Sequence, residues 1–423
     1  MNAYNETLRF LYGLQSRGMK FGLRNIKALL KSVGNPEKEF QSIHVAGTNG
    51  KGSTASLIAS VLMESGCNTA LYTSPHLINF TERIRINGIE MPEQRLVQYA
   101  RILRPMIEQV NATFFEATTC IAFQYFAERR VDIAVVEAGL GGRLDSTNVL
   151  SPLVSVITGV SFDHTEYLGT TLHKIAREKG GIIKPHTPCV TGSTNPEVIA
   201  TLRRICAREN ARLILSSKDV KVVRRQAGGW HWNLRFQSRL FSVSNVRLGL
   251  LGDHQIRNAS TALSAIDVLV RATANAKLFS KISNATIREG FERVRTNTGL
   301  RGRFERMGSR FILDVAHNVD GLKSLEQSLF SRRFQRFVVV FGVMKDKQYR
   351  EMCEIVGRMA EQVIAVRARN DRALSSSMIV KEIRGTGRNP INAGSVQKGI
   401  AESIRTARGR TKIVITGSHY VVA

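Results

Sequence analysis

The sequence predicts an α/β protein. An N-terminal, doubly wound phosphate-loop domain carries a mostly parallel sheet with a small antiparallel region, and a smaller C-terminal α/β domain follows. Three observations predict this. Short apolar runs alternate with helix-like segments, the pattern of strands crossing over through helices. One run, "SIHVA", feeds a glycine-rich loop, "HVAGTNGKGST" at 44–54, and then the helix-like "TASLIASVLMESG". The alternation breaks at the polar, glycine-rich "RTNTGLRGRF", 295–304, and then resumes. The domains are therefore placed at 1–297 and 298–423, with 295–304 as the linker.

The elements follow in order. "MNAYNETLRFLYGLQSRG" spaces its Tyr, Leu and Phe as an amphipathic helix. "SIHVAG", "TALYTS", "DIAVVEAG", "LVSVITGVS", "CVTGS" and "RLILSS" read as strands. Between "LVSVITGVS" and "CVTGS", "HKIAREKGGIIKP" at 173–185 is helical to about Lys179 and stops at a glycine pair. Near 217–250 the pattern changes to short antiparallel strands around a Gly-Gly turn. Helical spacing returns in "DHQIRNASTALSAIDVLVRA". Beyond the linker, "RFILDVAHN", "RFVVVFGVM", "QVIAVRA" and "KIVITGSH" are strands with helices between them.

Composition narrows the function classes. Hydrophobic residues make up 43% of 423, enough for a sizeable core and for two or three domains. No apolar run is long enough for a membrane span, and the N-terminus lacks the layout of a secretory signal. Five scattered cysteines suggest neither a zinc site nor a disulfide framework, so a cytoplasmic protein is expected. The net charge of +27 invites a nucleic-acid reading. The basic residues are spread widely, however, and no RNA-binding aromatic signature or zinc finger is present. Nucleic acid is therefore not expected as the main partner, and a polyanionic small substrate explains the charge as well.

Chemistry gathers at strand ends. Gly47, Gly50 and Gly52 let the loop turn its N–H groups inward, and the following helix adds its dipole. Lys51 can meet phosphate charge, and Ser53 or Thr54 can reach a metal. The order G-T-N-G-K-G-S puts lysine before the last glycine, a variant of the usual phosphate loop. Glu137 ends an apolar strand, where an acid holds Mg²⁺ or caps a helix. Asp163 and His164 also follow a strand end, His164 as metal ligand or structural residue. Arg143 and Asp145 tip the loop "GLGGRLDSTN". By spacing alone Lys179 is a surface or phosphate-binding lysine. Phe114 and Phe115 suit either a flat heterocycle or the core.

Together "HVAGTNGKGST", "TSPHL", "ERIRING", "FFEATT", "VVEAGLGGRLDSTN", "TGVSFDHTEYLG", "IAREKGGIIK", "GDHQIRNA", "GRFE", "LDVAHN", "FGVMKDK" and "TGSH" resemble the folylpolyglutamate synthase and dihydrofolate synthase family of Mur ligases, across nearly the whole chain. The resemblance implies ATP-dependent amide formation. A carboxylate is phosphorylated to an acyl phosphate, and the amine of L-glutamate displaces phosphate. The implied acceptors are dihydropteroate, folylpolyglutamates or both. The resemblance puts metal ligands for two Mg²⁺ at Ser74, Glu137 and His164, with Lys179 as a carbamate. It puts ATP on Gly47, Thr48, Asn49, Gly50, Lys51, Gly52 and Ser53, with Asn258, Arg303 and Asp314 as further nucleotide contacts and the nucleotide between domains. Lys51, Lys179 and His164 are the expected catalytic set. The expected pterin side is Thr113, Phe114, Phe115 and Glu116 with Leu144, Asp145 and Ser146, while His317 and Asn318 line the cleft. A monomer is expected. Departures from the family pattern are "EKGG" for E-K-A-G, "GLRGRF" without Trp-Pro, Val319 for proline and Gln348 for an acid.

Overall fold

The computed structural model describes residues 2–18, 20, 22–226, 230–272, 276–331 and 336–423. The Gly-Gly turn at 228–229 lies outside them. The chain forms two compact units. The first takes 1–226, 232–249 and 257–300, the second 227–231, 250–256 and 301–423.

The first unit is built on an eight-stranded sheet: β1 (Gln41–Ala46), β2 (Thr69–Tyr72), β3 (Ile84–Ile86), β4 (Ile89–Glu90), β5 (Ile133–Glu137), β6 (Val154–Ile157), β7 (Cys189–Thr191) and β8 (Leu213–Leu215). Its spatial order is β4-β3-β2-β5-β1-β6-β7-β8. The six strands from β2 to β8 run parallel, and β3 and β4 add an antiparallel edge. β2, β5 and β6 are buried at every residue, because helices cover both faces. The hairpin joining β3 to β4 is an element that the strand reading did not anticipate. Its turn is Asn87-Gly88, with φ of 50° and 81°, the left-handed pair that a tight two-residue hairpin needs.

The helix Lys51–Glu64 is buried along most of its length. Its small residues permit close approach by the helix Asn284–Glu292, where a Cβ on Gly290 would meet the backbone of Val61. Ser60 Oγ donates to the Gly290 carbonyl at 2.7 Å.

Three further strands, β9 (Lys221–Gln226), β10 (Trp232–Gln237) and β11 (Ser242–Arg247), form a separate antiparallel sheet in the order β11-β10-β9. Leu234, Phe236, Val243 and Val246 point to its buried side, where Phe236 meets Phe291 edge-on at 5.7 Å. The stretch expected as the linker is not irregular throughout. A short helix, Val294–Thr298, occupies its first half and ends at Gly299 in the left-handed conformation.

The second unit carries β12 (Glu305–Met307), β13 (Phe311–Leu313), β14 (Phe337–Phe341), β15 (Gln362–Arg367), β16 (Ile391–Ser395) and β17 (Lys412–Thr416), in the order β12-β13-β17-β14-β15-β16. Only the edge strand β12 pairs antiparallel. Five buried cysteines are free, four in the first unit and Cys353 in the second.

Candidate active site

The first unit gathers its candidate residues at the carboxyl edge of its central strands. β2, β5, β1 and β6 are neighbours in that order. Ser74 follows β2, Glu137 ends β5, the loop 47–53 follows β1, and Asp163 and His164 follow β6. Because β1 leads towards one side of the sheet and β6 lies on the other, this is the switch point where open α/β sheets bind ligands.

The phosphate loop is pinned from β6. The Thr48 amide donates to the Gly159 carbonyl at 2.7 Å, and Thr158 Oγ1 donates to the Asn49 carbonyl at 2.8 Å. Gly47 has φ of 152° and faces Thr158 so closely that any Cβ would strike its hydroxyl. Gly50 has φ of 87°, and a Cβ there would strike Asn258 Oδ1, so Asn258 stands directly beside the loop. Lys51 Nζ donates to the Thr48 carbonyl at 3.1 Å. Ser53 and Thr54 are buried in the first turn of the helix that follows.

Glu137 is 4% exposed, at the level of Val45 on β1, and accepts from the Ser74 amide at 3.1 Å. Lys179 is also buried, and its Nζ donates to the Gly47 carbonyl at 2.8 Å. Burial first, and then the positive Lys51, lower its pKa to about 7, against the pull of Asp163 and Asp145. The surface reading of Lys179 is thus overturned, since the end of its helix is packed against the phosphate loop. Gly181 of "EKGG" has a steric reason, since a Cβ there would meet the Arg143 backbone, whereas one on Gly180 would meet the movable end of Ile205. His164 adopts φ of 49° at the start of a one-turn helix, and its amide donates to Asp163 Oδ1 at 2.9 Å.

The donor set fits a hard divalent cation in part. Glu137 supplies a buried carboxylate, and the Thr54 hydroxyl is buried with no hydrogen-bond partner among the described residues. No three His, Cys, Asp or Glu side chains converge on one point among the described residues. An ammonium at Lys179 would repel a cation placed beside it.

Of the residues expected on the pterin side, Thr113 and Glu116 form a capping box on the helix Phe114–Glu128. Glu116 Oε2 accepts from the Thr113 amide at 2.7 Å, while Thr113 Oγ1 accepts from the Glu116 amide at 3.3 Å. The T-x-x-E spacing carried that signal, which the sequence reading passed over. Phe114 stacks on Tyr12 at 5.6 Å, with the Arg83 guanidinium 5.3 Å from its ring. Arg83 Nε donates to His76 Nδ1 at 2.7 Å. Tyr12, His76 and Arg83 had no assigned role, and only the fold brings them to Phe114. Phe115 lies against Gly139 and tilts over Tyr72. Asp145 Oδ2 accepts from the Leu140 amide at 2.8 Å, and Oδ1 accepts from the Thr147 amide at 3.0 Å, so its carboxylate shapes its own loop. Leu144 is half-buried and Ser146 buried beside it.

The second unit holds Arg303, Asp314, His317 and Asn318. Asp314 accepts from the Phe304 amide at 2.7 Å and the Ala316 amide at 2.8 Å. Burial raises its pKa to about 6 despite those bonds and the nearby Arg303. Phe304 is buried with φ of 49°, a strained state costing about 1–3 kcal/mol that the surrounding contacts must hold. His317 Nδ1 lies 2.9 Å from the Val315 carbonyl, and Asn318 caps the helix Val319–Phe330.

Residues 45–266 match the Mur ligase middle domain, and residues 302–419 match the Mur ligase glutamate ligase domain. The dihydrofolate synthase/folylpolyglutamate synthase of Bacillus subtilis is 35% identical over 375 residues, 85% of this chain and 84% of that protein. The folylpolyglutamate synthase of Lacticaseibacillus casei is 32% identical over 99% of this chain and 97% of its own length. The Mycobacterium tuberculosis folylpolyglutamate synthase, solved with ADP and AMPPCP, superposes with a TM-score of 0.88 at 30% identity, covering all of this chain and 97% of that one. The chain belongs to the folylpolyglutamate synthase/dihydrofolate synthase family of Mur ligases.

Proposed function

We propose that this ligase adds L-glutamate both to dihydropteroate and to folylpolyglutamates, through an acyl phosphate formed with ATP. Membership of the family makes it an ATP-dependent ligase that forms C–N bonds. The observation that carries the reading is the gathering of loop 47–53, Glu137 and Ser74 on neighbouring strand ends, with Lys179 brought to the loop from the end of its helix. The bifunctional relative from Bacillus subtilis supports two acceptors rather than polyglutamylation alone.

Each group has a task. A carboxylate is a poor electrophile, and phosphorylation gives it a leaving group. The N–H groups of residues 47–53 and the Lys51 ammonium cradle the transferred phosphate. Mg²⁺, when bound, neutralises charge crowded between the γ-phosphate and the acceptor carboxylate. Glu137, Ser74 and His164 would hold it. Lys179 as a carbamate would hold the second ion, and its burial with a lowered pKa favours the neutral amine that reacts with CO₂. Asn258, Arg303, Asp314 and His317 are the further nucleotide and cleft residues of this reading. Phe114, held by Tyr12 and Arg83, offers one apolar wall for the pterin. The domains in this reading are 1–297 for ATP binding and 298–423 for the glutamate ligase part. A Mur ligase acting on a cell-wall precursor is the second reading, but no residue on the acceptor side favours it.

The test is ADP release by purified protein given Mg²⁺-ATP, glutamate and either dihydropteroate or tetrahydrofolate. Turnover with both is expected. Turnover with tetrahydrofolate alone reduces the reading to polyglutamylation, and turnover with neither refutes it.

A further inference from the structure

The charge of +27 is spread along the sequence, but the register of the β9–β11 sheet concentrates part of it. Between Asp219 and Asp253 the chain has no acidic residue and six basic ones, Lys221, Arg224, Arg225, Arg235, Arg239 and Arg247. The antiparallel pairing sorts them. Leu234, Phe236, Val243 and Val246 take the buried face, so the alternate residues take the other. Lys221 is opposite Gln237, and Arg247 is opposite Asn233. Arg235 stands between Gln237 and Asn233 on the middle strand. Three cations thus cross three strands on one diagonal, at spacings of about 7–8 Å.

That face is exposed and mostly polar, with Val223, opposite Arg235, as an exposed apolar residue on it. Lys221, Arg235, Gln237, Ser242, Ser244 and Arg247 are all exposed. A bulge opposite Arg235, with Asn245 at φ of 58°, turns β11, and Arg235 Nη2 reaches Ser242 Oγ at 3.3 Å. The nearby carboxylates are engaged elsewhere. Glu292 accepts from the Arg247 amide, Asp267 holds Ser238, the Leu240 amide and Arg271, and Asp219 accepts from Ser264. No ion pair is formed by the side chains of Lys221, Arg235 or Arg247 among the described residues.

We propose that this outward face of β9–β11 docks the phosphate backbone of a nucleic acid, with Lys221, Arg235 and Arg247 as its contacts. Guanidinium forks, amides and hydroxyls on one flat face are the side chains that bind phosphate oxygens. The face presents no aromatic ring for base stacking, so binding is independent of sequence. A lipid surface would be met by a continuous apolar rim, whereas Val223 stands among Asn233, Gln237 and Ser242. This surface is separate from the ligase residues and does not depend on their assignment.

The test is fluorescence anisotropy with a labelled single-stranded RNA and a DNA duplex, each of about 30 nucleotides per strand, across salt concentrations. Three proteins are compared: wild type, the variant Lys221→Glu/Arg235→Glu/Arg247→Glu, and a control of equal charge change, Lys381→Glu/Arg384→Glu/Arg388→Glu. Matching circular dichroism melts and ligase turnover show that both variants fold. The wild type should bind, and the sheet variant should bind at least tenfold more weakly, with a salt slope shallower by about 2–3. The control should stay within about twofold. No wild-type binding at ~0.1 M salt overturns the proposal. So does an equal loss in both variants, which would make the overall charge responsible. Binding to anionic vesicles or poly-γ-glutamate, but not to either nucleic acid, overturns it too.

Discussion

Lys179 and His44 are both buried bases, and their chemistry differs. Lys179 hydrogen-bonds the loop it is proposed to serve. Lys179→Ala should lower turnover by about 100-fold or more while the melting profile is retained, as expected when a charge-stabilising group is lost. Acetate should restore part of the activity and bicarbonate none. Near-native turnover would remove the carbamate role. His44 lies inside β1, with Nε2 2.8 Å from Thr147 Oγ1. Burial, with help from Lys184, lowers its pKa to about 3. The unfolded chain therefore binds the extra proton first as pH falls. The stability that neutral His44 permits is complete above about pH 6.5 and drains away towards pH 3, at up to ~1.4 kcal/mol per pH unit. Urea unfolding from pH 7 to 4 should show His44→Gln losing less stability than the wild type. Parallel curves would exclude His44 as the source.

At the level of elements, the "TFFE" motif divides into two roles. Thr113 and Glu116 tie down the start of a helix, and Phe114 faces Tyr12 and Arg83. Thr113→Ala should cost about 1 kcal/mol in urea unfolding. Phe114→Ala should instead raise the KM for the pterin acceptor more than it lowers stability. If Phe114→Ala leaves KM unchanged, its ring is only packing. These elements also mark what was readable in the sequence. The strands were legible because parallel strands covered on both faces are continuous apolar runs. β12 and β16 were not legible, since "ERM" and "INAGS" are short and mostly polar edge strands. The β3–β4 hairpin carries its Asn-Gly signal inside "ERIRING", but its strands, of three and two residues, are too short for an alternation to show. The helix inside 295–304 was hidden by polar composition.

At the scale of the molecule, the strand-end residues were legible because a doubly wound sheet puts its ligand site at one edge. The cluster of Tyr12, His76, Arg83 and Phe114 was not, because its members come from separate segments that only folding joins. The nucleotide residues were assigned to both units, and this can be tested without activity. Mg²⁺-ATP that binds only the folded state should raise the melting temperature of the wild type by mass action. Asn258→Ala in the first unit and Asp314→Ala in the second should each remove most of that rise. A full rise in either variant would strike that residue from the nucleotide contacts.

The five buried cysteines turn the chain into its own reporter of opening. None can meet an alkylating reagent while its surroundings stay closed, and burial raises the thiol pKa of Cys67 to about 11 and of Cys120 and Cys353 to about 12. Cys353 is alone in the second unit, so its labelling clocks that unit, and the other four clock the first. Mass spectrometry of pulse-alkylated protein would then date the loosening of each half separately, with no probe added to the sequence.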